Sequence, residues 1–195
     1  MGQQASKQPR ALGFFTVLEH PKHGLFGGYL VLNTTGRPLE FHCTAPIQPN
    51  RAQEILYGPT LEAFLYGEQI GRTLLAKAKV EAMLVCTDRE PALAVREHIS
   101  QPVAMVLSPE TPPETPSADR EGQQKIFRFD ATHNSGGPHL LSFEVGGNRL
   151  AVPKQADDDR GAIERHLGEL PESFDLNEPF GRIREAIEEA QKAVR

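Results

Sequence analysis

The residues best suited to chemistry stand together in the run Cys86 to Arg89. This run follows a continuously apolar stretch from Ala82, which predicts a buried strand. Thr87 to Glu90 fit a capping box at the start of a predicted helix, Pro91 to His98. Open α/β sheets bind ligands at the carboxyl ends of parallel strands, and a helix N-terminus stabilises a thiolate there. We therefore expect weak catalytic candidates in Cys86 and Asp88 and candidate ligand contacts in Thr87, Asp88 and Arg89.

A structural role competes with each of these assignments. The cysteine phosphatase loop would need an arginine where Ala92 stands, and no glycines widen the turn to hold a phosphate. A buried core thiol is the alternative for Cys86, because free cysteine behaves as a small apolar residue. For Asp88 beside Arg89, the alternative is a helix cap with a surface ion pair. The sequence leaves an enzyme open but favours a protein without catalytic activity.

Other local signatures of catalysis or cofactor binding are missing from the sequence. The glycines from Gly24 to Gly28 lack the Lys-Ser/Thr ending of a phosphate-binding loop, and there is no Gly-x-Ser-x-Gly motif. His42 and Cys43 are adjacent on a predicted strand and so point to opposite faces, which prevents them from sharing an ion. We expect no metal site and no cofactor.

The charge balance argues against polyanionic partners. The formal net charge is -5 and the sequence pI about 5.8, so no overall basic field would attract nucleic acid. The two cysteines lie in apolar strand-like runs, no apolar run is long enough to span a bilayer, and residues 1–10 lack the apolar core of a signal peptide. Gly2 fits a loose myristoylation pattern, but a plain disordered tail is favoured. We expect a soluble, cytoplasmic protein.

The first half of the chain predicts a hairpin and a third strand. Ala11 to Leu18 and Phe26 to Leu32 are apolar runs separated by turn-forming residues. Leu39 to Thr44 alternates apolar and polar residues, which is typical of a half-buried strand with Leu39, Phe41 and Cys43 on its inner face.

Helical segments and a strand-helix-strand unit are predicted to follow. The helical pieces lie near Asn50 to Tyr57, Thr60 to Tyr66 and Ile70 to Ala78, and we expect Gly58-Pro59 and Gly67 to interrupt them. The strand at Ala82 to Cys86, its helix and a strand at Val103 to Leu107 then form a short βαβ unit.

The second half begins after a Pro-rich stretch. The predicted organisation is a disordered tail at 1–10, a first half at 11–107, a linker or long loop at 108–124, and a second half at 125–195 that completes the same domain. The second half contains predicted strands at Lys125 to Asp130, His139 to Val145 and Asn148 to Val152, and predicted helices at Asp157 to Leu170 and Pro179 to Val194.

The last helix carries a narrow apolar seam at alternating steps of three and four residues. Its members include the four interaction candidates Phe180, Ile183, Ile187 and Val194. Burying each of them would contribute roughly 1.5 to 3 kcal/mol, so the seam must meet another surface. The chain's own sheet is the favoured surface, and a protein partner or a second copy is the alternative.

These patterns predict an α/β (or α+β) fold with N-terminal antiparallel hairpin strands, one βαβ unit, and C-terminal strands and helices packed on a mixed sheet. For function, they favour a non-enzymatic binding or protein-interaction module, with a protein partner or a homo-oligomer. The alternative is a small-molecule enzyme or ligand sensor that uses a crevice near Cys86 and Asp88.

Overall fold

A computed structural model describes residues 10–108, 140–171 and 173–193 of the chain. Its strands form one mixed sheet in the order β3-β2-β1-β4-β5-β7-β6. The α/β fold predicted from the sequence is therefore confirmed. The strands are β1 (Ala11–His20), β2 (Gly24–Asn33), β3 (Pro38–Cys43), β4 (Leu84–Thr87), β5 (Val103–Val106), β6 (Leu140–Val145) and β7 (Asn148–Pro153).

The centre of the sheet is parallel and its flanks are antiparallel. β1, β4 and β5 run in the same direction, with Phe14 opposite Cys86 and Cys86 opposite Ala104. β1 forms the predicted hairpin with β2, which in turn pairs with β3. On the other side, β7 pairs antiparallel with β5 and with β6. All four residues of β4 are buried, as expected of a parallel strand that is covered on both faces.

Helices cover both faces of the sheet. On one face, the π-helix and the long 3₁₀ helix pack against Phe15, Tyr29 and Val31. On the other face, α4 and α5 pack against Phe14 and Leu30. The helices are α1 (Arg51–Tyr57), α2 (Leu61–Ala63), a π-helix (Phe64–Arg72), α3 (Thr73–Lys77), a 3₁₀ helix (Glu90–His98), α4 (Asp158–Leu167) and α5 (Glu178–Ala193), with 3₁₀ turns at Gly58–Thr60 and Lys154–Ala156.

The predicted helix break at Gly67 is wrong. The chain stays helical through this position as part of the π-helix Phe64–Arg72. Gly67 is used for close approach instead, because a Cβ built there would lie 2.7 Å from the backbone carbonyl carbon of Ala94. The glycine therefore lets the π-helix pack directly on the backbone of the 3₁₀ helix, a tertiary requirement that local propensity does not show.

The βαβ unit is present, but its crossover differs from the prediction. The segment Glu90–His98 is a 3₁₀ helix, and the capping box expected at its start is not formed. The Thr87 hydroxyl accepts a hydrogen bond from the Arg89 backbone N–H at 3.2 Å, so it caps a turn rather than a helix.

The burial of β3 is the reverse of what its alternation predicts. The apolar side chains are outward, with Leu39 40% and Phe41 38% exposed, and Cys43 is exposed as well. The polar residues Glu40 and His42 are half-buried. The Glu40 carboxylate accepts hydrogen bonds from the backbone N–H groups of residues 79 and 80. Phe41 lies opposite Leu30 and so shares the sheet face on which α5 packs, but α5 covers β1 and β2 there and leaves the apolar side of the edge strand exposed.

Several predicted features lie outside the described residues. They are the tail 1–9 with the myristoylation pattern at Gly2, most of the predicted linker 108–124, the predicted strand Lys125 to Asp130, and Val194. The division of the chain into two halves joined by a linker stays a prediction. None of the helices in the described ranges combines the length and the apolar character needed to cross a membrane.

Candidate functional site at the carboxyl end of β4

The candidate residues lie where β4 ends beside the middle of β1. Thr87 is the last residue of β4 and lies opposite Phe15, so Asp88 emerges next to Thr16. Strand alternation places Cys86 and Asp88 on the sheet face that α5 covers and Thr87 on the other face. In parallel α/β sheets, ligands bind beyond the carboxyl ends of the strands, and the carboxyl end of β4 is such a place.

Both oxygens of the Asp88 carboxylate have protein partners. Its Oδ1 atom accepts a hydrogen bond from the Thr16 hydroxyl at 2.6 Å. Its Oδ2 atom accepts a charge-assisted hydrogen bond from the Arg184 guanidinium on α5. The Asp88 side chain is 13% exposed, and that of Arg184 is 43% exposed. The carboxylate thus connects β1, β4 and α5, and its lone pairs are engaged in holding these elements together.

The neighbouring ligand candidates differ in their exposure. Thr87 is fully buried, and its hydroxyl is occupied by the backbone of Arg89. Arg89 is exposed and lies near the Tyr66 phenol, whose hydroxyl donates to the Glu19 carboxylate at 2.7 Å. Burial and the charge of Glu19 raise the Tyr66 pKa, while the charge of Arg89 opposes this shift. Of the three predicted ligand contacts, Arg89 is therefore the one most open to solvent.

Cys86 is a core residue in the folded chain. Its side chain is fully buried in the cluster that contains Phe14 and Ala104. Burial raises the pKa of the thiol to about 12, so the protonated form dominates at neutral pH. The reactive form of cysteine is the thiolate, and this thiol has neither the charge nor the access that a nucleophile requires.

The apolar seam of α5 packs against the chain's own sheet, as the favoured alternative in the sequence predicted. Phe180 is 1% exposed and makes an edge-on ring contact with Phe14, the ring centroids lying 5.7 Å apart. Ile183 and Ile187 are also buried, and both contact the space above Gly28, where a Cβ would lie 2.3 Å from Ile183. These three side chains contribute to stability in the folded chain and are not exposed to a partner.

Two members of this site, Thr16 and Arg184, were not recognised in the sequence. The sequence does contain a feature that points to Thr16. It is the only residue with a hydrogen-bonding side chain in the apolar run from Ala11 to Leu18, and a buried hydroxyl requires a partner. Arg184 had none, because it is one of several charged residues that flank the apolar seam. Only the packing of α5 across β1 brings Arg184 to Asp88.

The histidines do not add a metal site to this region. His20 and His23 contact each other at the tip of the β1–β2 hairpin, with ring centroids 4.5 Å apart and the rings tilted by 37°. His42 contacts the Glu40 carboxylate at 2.7 Å. Within the three described ranges, no group of three or more His, Cys, Asp or Glu side chains is arranged to hold a metal ion.

Comparison with known proteins assigns no family to the chain. No protein-family model matches the sequence, and no curated protein matches it either. Among solved structures, the chain is similar to Ciona intestinalis endonuclease V in complex with a 23mer DNA that contains an inosine. The match covers 93% of this chain and 86% of that chain, at 12% sequence identity and a TM-score of 0.40. At this level, no property of the enzyme is transferred to this protein.

Proposed function

We propose that this protein is a non-enzymatic interaction module that associates with a second copy of itself through the free edge of β3. The observation that supports this proposal is the reversed burial of β3, an edge strand whose apolar side chains Leu39 and Phe41 face solvent. Because about 40% of each of these side chains is exposed, burying the remainder would contribute roughly 0.6 to 1.2 kcal/mol apiece. The candidate catalytic groups favour the same conclusion, since Cys86 is buried and both Asp88 oxygens are engaged.

The backbone of β3 is suited to accept another strand. The Thr44 N–H donates to the Gly27 carbonyl at 3.0 Å. Because hydrogen-bonded pairs alternate along an antiparallel ladder, residues 40 and 42 bond towards β2, and the backbone groups of Phe41 and Cys43 point away from the sheet. These groups form the open edge, and an open edge is a template for pairing with another chain.

The sequence of β3 is complementary to itself in antiparallel pairing. With Phe41 opposite Phe41 of the second copy, the two phenylalanines would meet across the two-fold axis on the apolar face. On the polar face, Glu40 would lie opposite His42 of the second copy, and the reciprocal pair would form as well. This register joins the two sheets, pairs apolar side chains on one face and places each carboxylate opposite a histidine on the other. A partner of unrelated sequence would have to supply the same pattern by chance.

The β3 proposal is tested by measuring the mass of the full chain in solution over a range of concentrations, by sedimentation equilibrium. We expect a dimer that Phe41→Lys converts to a monomer. The matched control is Leu56→Lys on α1, where the wild-type side chain is 81% exposed and lies outside β3, and we expect this variant to stay dimeric. A wild-type chain that is monomeric at every concentration, or a dimer that Phe41→Lys leaves intact, overturns the proposal.

A cross-linking experiment tests the register independently. Phe41→Cys, made in a Cys43→Ser background, would place two thiols across the two-fold axis at a Cα separation that a disulfide bridges. We expect mild oxidation to give a covalent dimer, and we expect none from Leu56→Cys in the same background. Equal cross-linking of the two variants would show random collision and would count against the register.

A second function, a small-molecule enzyme or ligand sensor at the crevice near Cys86 and Asp88, has one observation in its favour. Arg184 and Arg89 are both accessible to solvent beside the carboxyl end of β4, where they provide positive charge for an anionic ligand. Replacing Arg89 with methionine would weaken the binding of such a ligand and would leave the Asp88–Arg184 ion pair in place. If no ligand protects Arg89 from guanidinium-directed modification, this second function is excluded.

A further inference from the structure

A second cavity lies at the opposite end of β4 from Asp88. It has a volume of about 550 Å³ and is bounded by the segment after α3, the start of β4 and the end of the 3₁₀ helix. This volume lies within the usual range for small-molecule sites, roughly 300 to 1,000 Å³. The polar side chains among its lining residues include those of Tyr29, Arg72, Lys79, His98 and Ser100.

The Tyr29 hydroxyl is a donor that lines the cavity. The Tyr29 side chain is 2% exposed and lines the cavity, and its hydroxyl makes no hydrogen bond to any residue in the part of the chain that the structure describes. The hydroxyl is therefore available to donate to an acceptor bound in the cavity. Burial is also the main cause that raises the pKa of this phenol, so the hydroxyl stays protonated and able to donate at neutral pH.

The position of the Tyr29 ring depends on a glycine in β1. A Cβ built on Gly13 would lie 2.4 Å from the Tyr29 hydroxyl oxygen, closer than van der Waals contact allows. The absence of that Cβ lets the ring lie across β1, with its hydroxyl at the cavity, which Val85 of β4 also lines. Gly13 is therefore a positioning residue for the hydroxyl.

The lining of the cavity contains two cationic side chains. Arg72 and Lys79 contribute two positive charges, and Glu81 contributes the one carboxylate of the lining. The Glu81 carboxylate accepts a hydrogen bond from the Gln101 side chain at 3.1 Å, and Arg72 has a long, exposed contact of 3.9 Å with Glu68. The Glu40 carboxylate lies beside the lining, where it accepts hydrogen bonds from the backbone N–H groups of residues 79 and 80, and its charge also raises the pKa of Tyr29. Arg72 and Lys79 are therefore the groups of the lining that would attract a negatively charged ligand.

We propose that this cavity binds a small organic anion, a metabolite that bears a phosphate or carboxylate group, with the Tyr29 hydroxyl donating to the anion and Arg72 and Lys79 balancing its charge. The apolar part of such a ligand would contact the aliphatic side chains that complete the lining, which include Leu75, Val80 and Ile99. The site is separate from the Asp88 crevice, and it does not depend on the association through β3.

The binding test uses inorganic phosphate and succinate as probes, titrated into the full chain by calorimetry at constant ionic strength with chloride as the reference anion. We expect saturable binding of at least one probe at millimolar concentrations. Binding of phosphate alone identifies a phosphate-bearing ligand, and binding of succinate alone identifies a carboxylate. Binding of both probes shows that the site recognises charge. If neither probe binds more strongly than chloride, the proposal is overturned.

Variants locate the binding and separate it from a loss of folding. Tyr29→Phe removes one oxygen atom and should weaken binding about 5-fold to 10-fold, the effect of one hydrogen bond. Lys79→Met should weaken it at least as much. The matched controls are Tyr57→Phe and Lys77→Met, which lie outside the cavity and should bind as the wild type does. Equal affinities for the wild type, Tyr29→Phe and Lys79→Met would overturn the assignment of this site.

Discussion

Asp88 and Arg184 form an ion pair that joins the carboxyl end of β4 to α5. The buried hydroxyl of Thr16 donates a hydrogen bond to the other oxygen of the Asp88 carboxylate at 2.6 Å. Because Asp88 is mostly buried and Arg184 is partly exposed, the main contribution of this group comes from the hydrogen bonds to the carboxylate rather than from the screened charge interaction.

Replacing Asp88 with alanine should lower the free energy of unfolding by about 2 to 3 kcal/mol, since the change leaves the buried Thr16 hydroxyl without an acceptor. Thr16→Val removes that hydroxyl without changing its shape and should cost less, about 1 kcal/mol. Urea denaturation of both single variants and the double variant measures the coupling between them. If the effects simply add, the two side chains do not interact in solution as they do in the structure.

The Cys86 thiol should resist alkylation while the protein is folded. In a Cys43→Ser variant, Cys86 is the one remaining cysteine, so iodoacetamide reports on it alone. Its burial and its raised pKa, about 12, predict no reaction at pH 8 and complete reaction in denaturant. Intact-mass measurement detects the alkylation under both conditions. Rapid alkylation of the folded variant would show that Cys86 is accessible and would make it a candidate nucleophile.

Two glycine-to-alanine substitutions should have effects of opposite sign. In Gly67→Ala, the new methyl group would lie 2.7 Å from atoms of Ala94, so we expect a loss of about 1 to 3 kcal/mol through overpacking. In Gly161→Ala on α4, no atom lies within 4 Å of the new methyl group, so helix propensity should dominate and add about 0.5 to 1 kcal/mol. Thermal unfolding compares the two directly. Stabilisation by both substitutions would contradict the close contact at Gly67.

Stability should fall in acid partly through Glu40. Hydrogen bonds from the residue 80 and residue 79 backbones and from His42 lower the pKa of this carboxyl in the folded state. A lowered folded-state pKa means that the stabilisation is present above the unfolded-state pKa of the group and is lost as the pH falls through the folded-state value. Glu40→Gln should therefore unfold more easily than the wild type at pH 7 and lose less stability on acidification. Denaturation curves at several pH values test this, and parallel pH profiles would rule it out.

The sequence is informative where a local pattern decides the structure. The apolar run before Thr87 and the alternating seam of α5 depend on the spacing of residues within one element, and both were recognised. The orientation of β3 was not, because Leu39 and Phe41 would be buried only if a helix extended over the edge strand. That outcome depends on where α5 is placed by contacts such as Phe14 with Phe180, which are far apart in the chain.

The two candidate sites show the same limit. Asp88 could be recognised as the residue after a buried strand, whereas its partners Thr16 and Arg184 come from β1 and α5 and have no common local pattern. The cavity at Tyr29 could not be seen at all. It depends on a missing Cβ at Gly13, and nothing in the sequence distinguishes that glycine from one that simply tolerates a turn.

The contact between Phe14 and Phe180 also sets the order in which this protein can fold during translation. β1 leaves the ribosome well before α5, the helix that covers its face and that follows every other described element in the chain. At synthesis rates of about 5 to 20 residues per second, the α5 side of the hairpin is exposed for many seconds. Nascent chains therefore expose a large apolar surface until α5 has been synthesised, so we expect chains truncated before α5 to form aggregates rather than smaller folded units.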